Sequence, residues 1–82
     1  MKRLMLNKEQ FTRLKTQMAI RNDLLQAALG LLKTYTGGLG FSETESTPQD
    51  VLIYIALDVL ADQNHINRTT EKDMTVYEMK AI

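Results

Sequence analysis

The sequence predicts an all-α, mainly helical protein: a small helical bundle that forms one domain over residues 1–82. Two patterns carry this prediction. Apolar residues recur at three- and four-residue spacing through residues 8–35, as on one face of a helix, and a nearly continuous apolar stretch follows a helix-start signal at Thr47. The chain has no Cys, which excludes disulfides, thiolate catalysis and cysteine-bound zinc.

The first helix is predicted to begin after Asn7, a favoured N-cap residue, with Gln10 three residues later completing a capping box. Its apolar stripe occupies heptad positions a and d, with Arg21 as the one exception. The stripe consists of Phe11, Leu14, Met18, Leu25, Ala28, Leu32 and Tyr35. A Gly-rich turn ends the stretch, and Gly37 or Gly38 is expected to adopt the left-handed conformation there.

The length of this stretch leaves two alternatives. A continuous helix over residues 8–35 would be ~42 Å long at 1.5 Å per residue, whereas a chain of this length has an expected radius of gyration of ~12 Å. A continuous helix therefore needs a partner chain, and the heptad pattern favours this alternative, which we expect. The other is a break near Arg21, where Asn22 or Asp23 would cap a new helix.

The second helix is predicted from Pro48 to about Gln63 or Asn64, because Thr47 can cap it and Pro48 suits its first position. Its only polar stripe comprises Asp50, Tyr54, Asp58 and Asp62. A helix that is apolar on most sides is expected to be surrounded by other elements. Residues 41–47 are polar and aperiodic, which predicts a connection.

The C-terminal residues 66–82 permit two interpretations. Thr69 or Thr70 followed by Glu71 is typical of a helix start, and we expect a short C-terminal helix. The β-branched and aromatic residues at 74–77 are instead typical of a strand, which would form a short β element at the termini beside residues 4–6.

Ten basic and ten acidic residues give zero net charge, but their distribution is uneven. Residues 1–41 carry seven basic and two acidic side chains, whereas residues 42–82 carry three basic and eight acidic ones. We expect this asymmetry to reflect complementarity within the chain or between subunits. The alternative is a basic first helix that binds nucleic acid.

No catalytic, cofactor or metal site is expected. The glycines of residues 37–40 lack the Lys and Ser/Thr that end a phosphate-binding P-loop. Asp58, Asp62 and His65 share a helical spacing that could place ligands on one face, but such a stripe is more typical of the water-facing side of a helix. One His and two serines in a predicted connection do not form a catalytic arrangement.

The sequence thus predicts a non-enzymatic regulatory or adaptor protein that acts by protein–protein contact, as a homodimer or larger oligomer. The alternative is a regulator that binds nucleic acid through the first helix. The expected partner-binding residues form a basic group on the first helix and an acidic stripe on the second: Lys8, Arg13, Lys15, Arg21, Asp50, Tyr54, Asp58 and Asp62.

A further docking patch would form if Met74, Tyr77 and Met79 were exposed together. No small-molecule substrate and no membrane partner are expected, because the longest apolar run is far shorter than the ~20 residues of a membrane span. The N-terminal apolar stretch is also too short for a signal peptide, so a cytoplasmic location is expected.

Overall fold

The computed structural model describes residues 7–42, 48–71 and 74–80. In this part of the chain, the structure contains three helices and three strands. The elements are α1 (Lys8–Ala19), α2 (Asn22–Lys33), β1 (Leu39–Ser42), α3 (Pro48–Asp62), β2 (Ile66–Glu71) and β3 (Met74–Met79). The strands form an antiparallel sheet of order β1-β3-β2, so the fold is α+β and the all-α prediction is wrong.

The sheet replaces two predicted features. The short C-terminal helix is wrong, because β2 and β3 occupy that region and the strand interpretation of residues 74–77 is correct. The expected partner, residues 4–6, lies outside the described residues; β3 pairs instead with β1 and β2. Phe41, predicted to lie in a connection, belongs to β1, whereas residues 43–47 lie outside the described residues.

Alternation along the strands gives the sheet two different faces. Its inner face packs on the helices through residues such as Ile66 and Tyr77, which are 2% and 0% exposed. The register places Tyr77 between Leu39 of β1 and Arg68 of β2. The outer face carries Asn67, Thr69, Glu71, Met74 and Glu78, all exposed, and the half-buried Val76.

The predicted continuous first helix is also wrong, because the chain leaves helical geometry at Arg21 (φ −98°, ψ 74°). Arg21 donates two hydrogen bonds to the carboxylate of Asp23, at 3.0 and 2.9 Å, and neither Asn22 nor Asp23 is the N-cap. The break lets Met18 of α1 and Leu25 of α2 enter the same core. The resulting radius of gyration is 12.1 Å, so helix length no longer argues for a partner chain.

The predicted start of α1 is confirmed. The side chain of Asn7 accepts a hydrogen bond from the Gln10 amide at 2.7 Å, and the Gln10 side chain accepts one from the Asn7 amide at 3.2 Å. This capping box satisfies two amides that lack partners within the helix.

α3 lies at the centre of the molecule, as its apolar sequence predicts. Residues 55–60 are all buried, and the helix packs against α1, α2, β2 and β3. Its C-terminus ends in a Schellman motif: the amides of Asn64 and His65 donate to the carbonyls of Ala61 and Leu60 at 3.0 and 2.9 Å. Asn64 supplies the left-handed residue (φ 65°), which turns the chain back along α3 as β2.

The predicted left-handed glycines are confirmed, since Gly37 and Gly38 have φ of 97° and 94°. Gly38 also lies against the backbone of β3. A Cβ atom there would overlap the carbonyl oxygen of Tyr77 and come within 2.6 Å of the Glu78 Cγ. This close approach connects the end of α2 to the central strand.

We therefore expect Gly38→Ala to destabilise the protein by more than about 1 kcal/mol, because both its positive φ and the contact with β3 disfavour a side chain. Gly30→Ala is the matched control: Gly30 lies in α2 with open space around its Cα. There the substitution should stabilise by about 0.4–1 kcal/mol. Urea unfolding of both variants measures the difference, and equal stabilities would contradict the assignment.

Candidate functional site

A charged cluster forms where α3 meets α1 and the sheet. Asp58 and Asp62 lie one helical turn apart on α3, and they face Lys15 of α1 and Arg68 of β2. Tyr77 of β3 completes the group, which we call the Asp58 cluster. The Asp58 cluster therefore links α1, β2 and β3 to α3.

Asp58 is the centre of this cluster. Its Oδ2 lies 2.7 Å from the Lys15 Nζ, and its Oδ1 accepts hydrogen bonds from the Arg68 Nη1 at 2.6 Å and from the Tyr77 hydroxyl at 2.7 Å. Asp58 is only 5% exposed. Asp62, which is more exposed, bonds to Lys15 and lies 3.1 Å from the Arg68 Nη1. The three donors together satisfy a carboxylate that would otherwise be costly to bury.

The electrostatics of the cluster favour the ionised form of Asp58. Burial opposes ionisation, but hydrogen bonds from Lys15, Tyr77 and Arg68 outweigh it and lower the pKa of the carboxyl below its ordinary value of 3.8. Burial likewise opposes the charge on Lys15, yet its bonds to Asp58 and Asp62 raise its pKa. Burial and the hydrogen bond to Asp58 raise the pKa of Tyr77, so its hydroxyl stays protonated as a donor.

An aromatic group borders the charged cluster. The ring of Tyr54 lies 5.5 Å from that of Phe11, 5.8 Å from that of Phe41 and 5.9 Å from that of Tyr77. The Lys15 ammonium lies 5.4 Å from the centroid of the Phe11 ring, a cation–π distance. Burial and the nearby charge of Asp58 raise the pKa of Tyr54. The rings thus extend the packing of the Asp58 cluster toward β1.

The structure brings together four of the eight expected partner-binding residues. Lys15 of the basic group contacts Asp58 and Asp62 of the acidic stripe, so these two predicted surfaces meet inside the molecule. Tyr54 lies beside them in the aromatic group. At this site, a basic residue of the N-terminal half therefore pairs with acidic residues of the C-terminal half within one chain.

The other four lie apart. Lys8 is exposed at the start of α1, and Arg13 forms an exposed pair with Glu9 at 3.4 Å. Arg21 pairs with Asp23 at the helix break, and the hydrogen bond to Asp23 raises its pKa. Asp50 lies in the first turn of α3.

Sequence reasoning missed Arg68 as a member of the cluster and misplaced Tyr77. Both are inner-face residues of strands, and the register that pairs Arg68 with Tyr77 becomes visible only once β2 and β3 are recognised. The proposed patch of Met74, Tyr77 and Met79 is wrong: Tyr77 is 0% exposed, and the two methionines alternate onto opposite faces of the sheet.

The remaining features that bear on chemistry are the buried polar groups and a cavity beside β1. Every buried side-chain nitrogen or oxygen in residues 7–42, 48–71 and 74–80 has a hydrogen-bond partner, and these residues contain no group of three potential metal ligands among His, Cys, Asp and Glu. A cavity of about 200 Å³ lies between α2, β1 and α3. It is smaller than the roughly 300–1,000 Å³ of ordinary ligand pockets. Its lining includes Leu31, Tyr35, Phe41, Asp50 and Ile53.

Comparison of the chain with protein-family models, curated proteins and solved structures finds no match. Among the described helices, none has both the length and the apolar character needed to cross a membrane.

We expect Asp58→Asn to lower the free energy of unfolding by about 3 kcal/mol, because it leaves Lys15 and Arg68 without their buried counter-charge. Asp62→Asn is the matched control on the next helical turn. Since Asp62 is more exposed, its loss should cost less than about 1 kcal/mol. Chemical denaturation measures both, and a larger loss for the Asp62 variant would contradict the central place of Asp58.

The lowered pKa of Asp58 also predicts a pH dependence. Because the folded pKa lies below the ordinary value of 3.8, the stabilisation is complete above that value and is lost as pH falls through the folded pKa. Unfolding measured at a series of acidic pH values should show this loss, and Asp58→Asn should reduce the slope. An unchanged slope in the variant would assign the acid sensitivity to other carboxyls.

Proposed function

We propose that this chain is a non-enzymatic regulatory or adaptor protein that acts by protein–protein contact and associates with copies of itself. The observation that supports this proposal is the one-sided sheet. α2 and α3 pack against the sheet, and the two strand residues whose described side chains are fully buried, Ile66 and Tyr77, are on its inner face. The outer face is open among the described residues, with Met74 45% exposed on it. A sheet with a free face and a free edge suits contact with another chain.

The charged residues support contact rather than chemistry. In the Asp58 cluster each cation is bound to two carboxylates and the Tyr77 hydroxyl donates to Asp58, so the charges are used in joining elements of the chain. Such a network fixes the helices against the inner face of the sheet. The outer face of the sheet is then held in one shape, and a preorganised surface limits the entropic cost of binding.

Nucleic-acid binding through the first helix has less support. Lys15 is held by Asp58 and Asp62, while Arg13 and Arg21 pair with neighbouring acids. Three of the four basic residues expected to form that surface are therefore already paired within the chain. A phosphate backbone would have to compete with carboxylates that are in place.

Sedimentation velocity tests the proposal. The weight-average mass should rise from that of the 9.4 kDa monomer toward twice that value between about 1 μM and 1 mM protein. Fluorescence anisotropy of labelled DNA and RNA should stay unchanged at about 50 mM salt. A monomer mass at every concentration would contradict self-association, and a complex that weakens at about 200 mM salt would favour nucleic-acid binding.

A further inference from the structure

Within the described part of the chain, the outer edge of β2 is an open strand edge. In the order β1-β3-β2, the six residues of β2 pair with β3 on one side, and no described strand pairs with the other side. A strand in this position presents a row of backbone amides and carbonyls that can pair with another chain. Its length exceeds that of β1, which has four residues.

β2 also lacks most of the features that prevent such pairing. It contains no Pro and no Lys, and its register with β3 runs without a bulge from Ile66 to Glu71. Its one inward-pointing charge is Arg68, which on a free edge would oppose a second strand. Here the guanidinium is bound to Asp58 and Asp62, which reduces its opposition to a strand that places a neutral residue opposite it.

The sequence of β2 selects a register for pairing with itself. When two copies of β2 pair antiparallel about a two-fold axis perpendicular to the sheet, the helices of both copies lie on one side of the sheet, and each residue pairs with one of the same face. Two registers of this kind pair five residues of β2 in each copy, one with the axis at Arg68 and one with the axis at Thr69. An axis at Arg68 places two guanidinium groups opposite each other, which like-charge repulsion disfavours. An axis at Thr69 avoids this.

We infer that a second copy of this chain pairs antiparallel with β2 about a two-fold axis at Thr69, which joins the two sheets into one sheet of six strands. This inference rests on the proposed function and names its partner and surface. Thr69 then faces Thr69 of the second copy, a favourable cross-strand pair. Arg68 faces Thr70, and Asn67 faces Glu71, whose carboxylate can accept from the amide group.

The charge of the interface supports this arrangement. No two like charges stand opposite each other in the Thr69 register, and the chain has zero net charge, so long-range repulsion between copies is absent. The outer faces of the two sheets also become continuous. This doubles the open surface that carries Met74 and Val76.

The experiment uses opposite charges at the axis. Thr69 is exposed, so Thr69→Arg and Thr69→Glu should leave the fold of each chain intact, which circular dichroism checks. Each variant alone opposes like charges at the axis, and its dimer dissociation constant should rise at least tenfold. An equimolar mixture of the two variants should regain the wild-type affinity, because the charges that meet at the axis are then opposite and attract. Gln26→Arg, on the exposed face of α2, is the control and should dimerise as wild type does.

A dimer that forms equally well in both single variants, or a mixture that does not recover, would overturn the inference and leave self-association through another surface. A wild-type chain that is monomeric throughout would overturn self-association itself. Amide hydrogen exchange identifies what occupies the edge. Protection of alternate amides in β2 that rises with protein concentration supports the second copy, whereas protection independent of concentration indicates a segment of the same chain and overturns the inference.

Discussion

The structure depends on the ionised carboxylate of Asp58, buried in the middle of α3. Its oxygens are bound by Lys15 of α1, Arg68 of β2 and Tyr77 of β3, so one side chain sets the positions of three other elements. An aliphatic residue at this position would pack against almost any apolar neighbour. A buried carboxylate instead requires donors at defined positions, because an unpaired one is costly in a low-dielectric environment.

The same cluster explains why the sheet is one-sided. Arg68 and Tyr77 are opposite each other in the register of β2 and β3, and both side chains reach the same Asp58 oxygen. This fixes which face of the sheet packs on the helices. The alternate residues, among them Thr69 and Val76, must then point outward. The contact surface that we propose is thus a consequence of where the charged residues are satisfied.

Local signals in the sequence predict the helices better than the sheet. The capping box of Asn7 and the start at Pro48 depend on neighbours within a few residues, and both appear in the structure. At Arg21 the sequence favours a continuous helix over a break, because a regular apolar stripe continues across that residue. In the folded chain, packing of both helices onto a shared core outweighs that regularity.

The strands cannot be recognised in the same way, because their pairing is non-local. β2 is exposed at every position except Ile66, so it lacks an apolar alternation, and its Thr69, Thr70 and Glu71 imitate a helix start. For the candidate site, the sequence identifies Lys15 as part of a basic surface on the first helix, and Asp58 and Asp62 as part of a separate acidic stripe. That they contact each other follows from tertiary packing, which also brings in Arg68 and Tyr77.

A double-mutant cycle between Asp58→Ala and Tyr77→Phe tests the central claim most directly. Tyr77→Phe keeps the ring among its aromatic neighbours and removes only the hydroxyl that donates to Asp58. If Asp58 holds β3 through this bond, the two changes should be coupled by about 0.5–3 kcal/mol in the free energy of unfolding. Strictly additive effects would show that Tyr77 packs on α3 independently of the carboxylate, and would contradict the account.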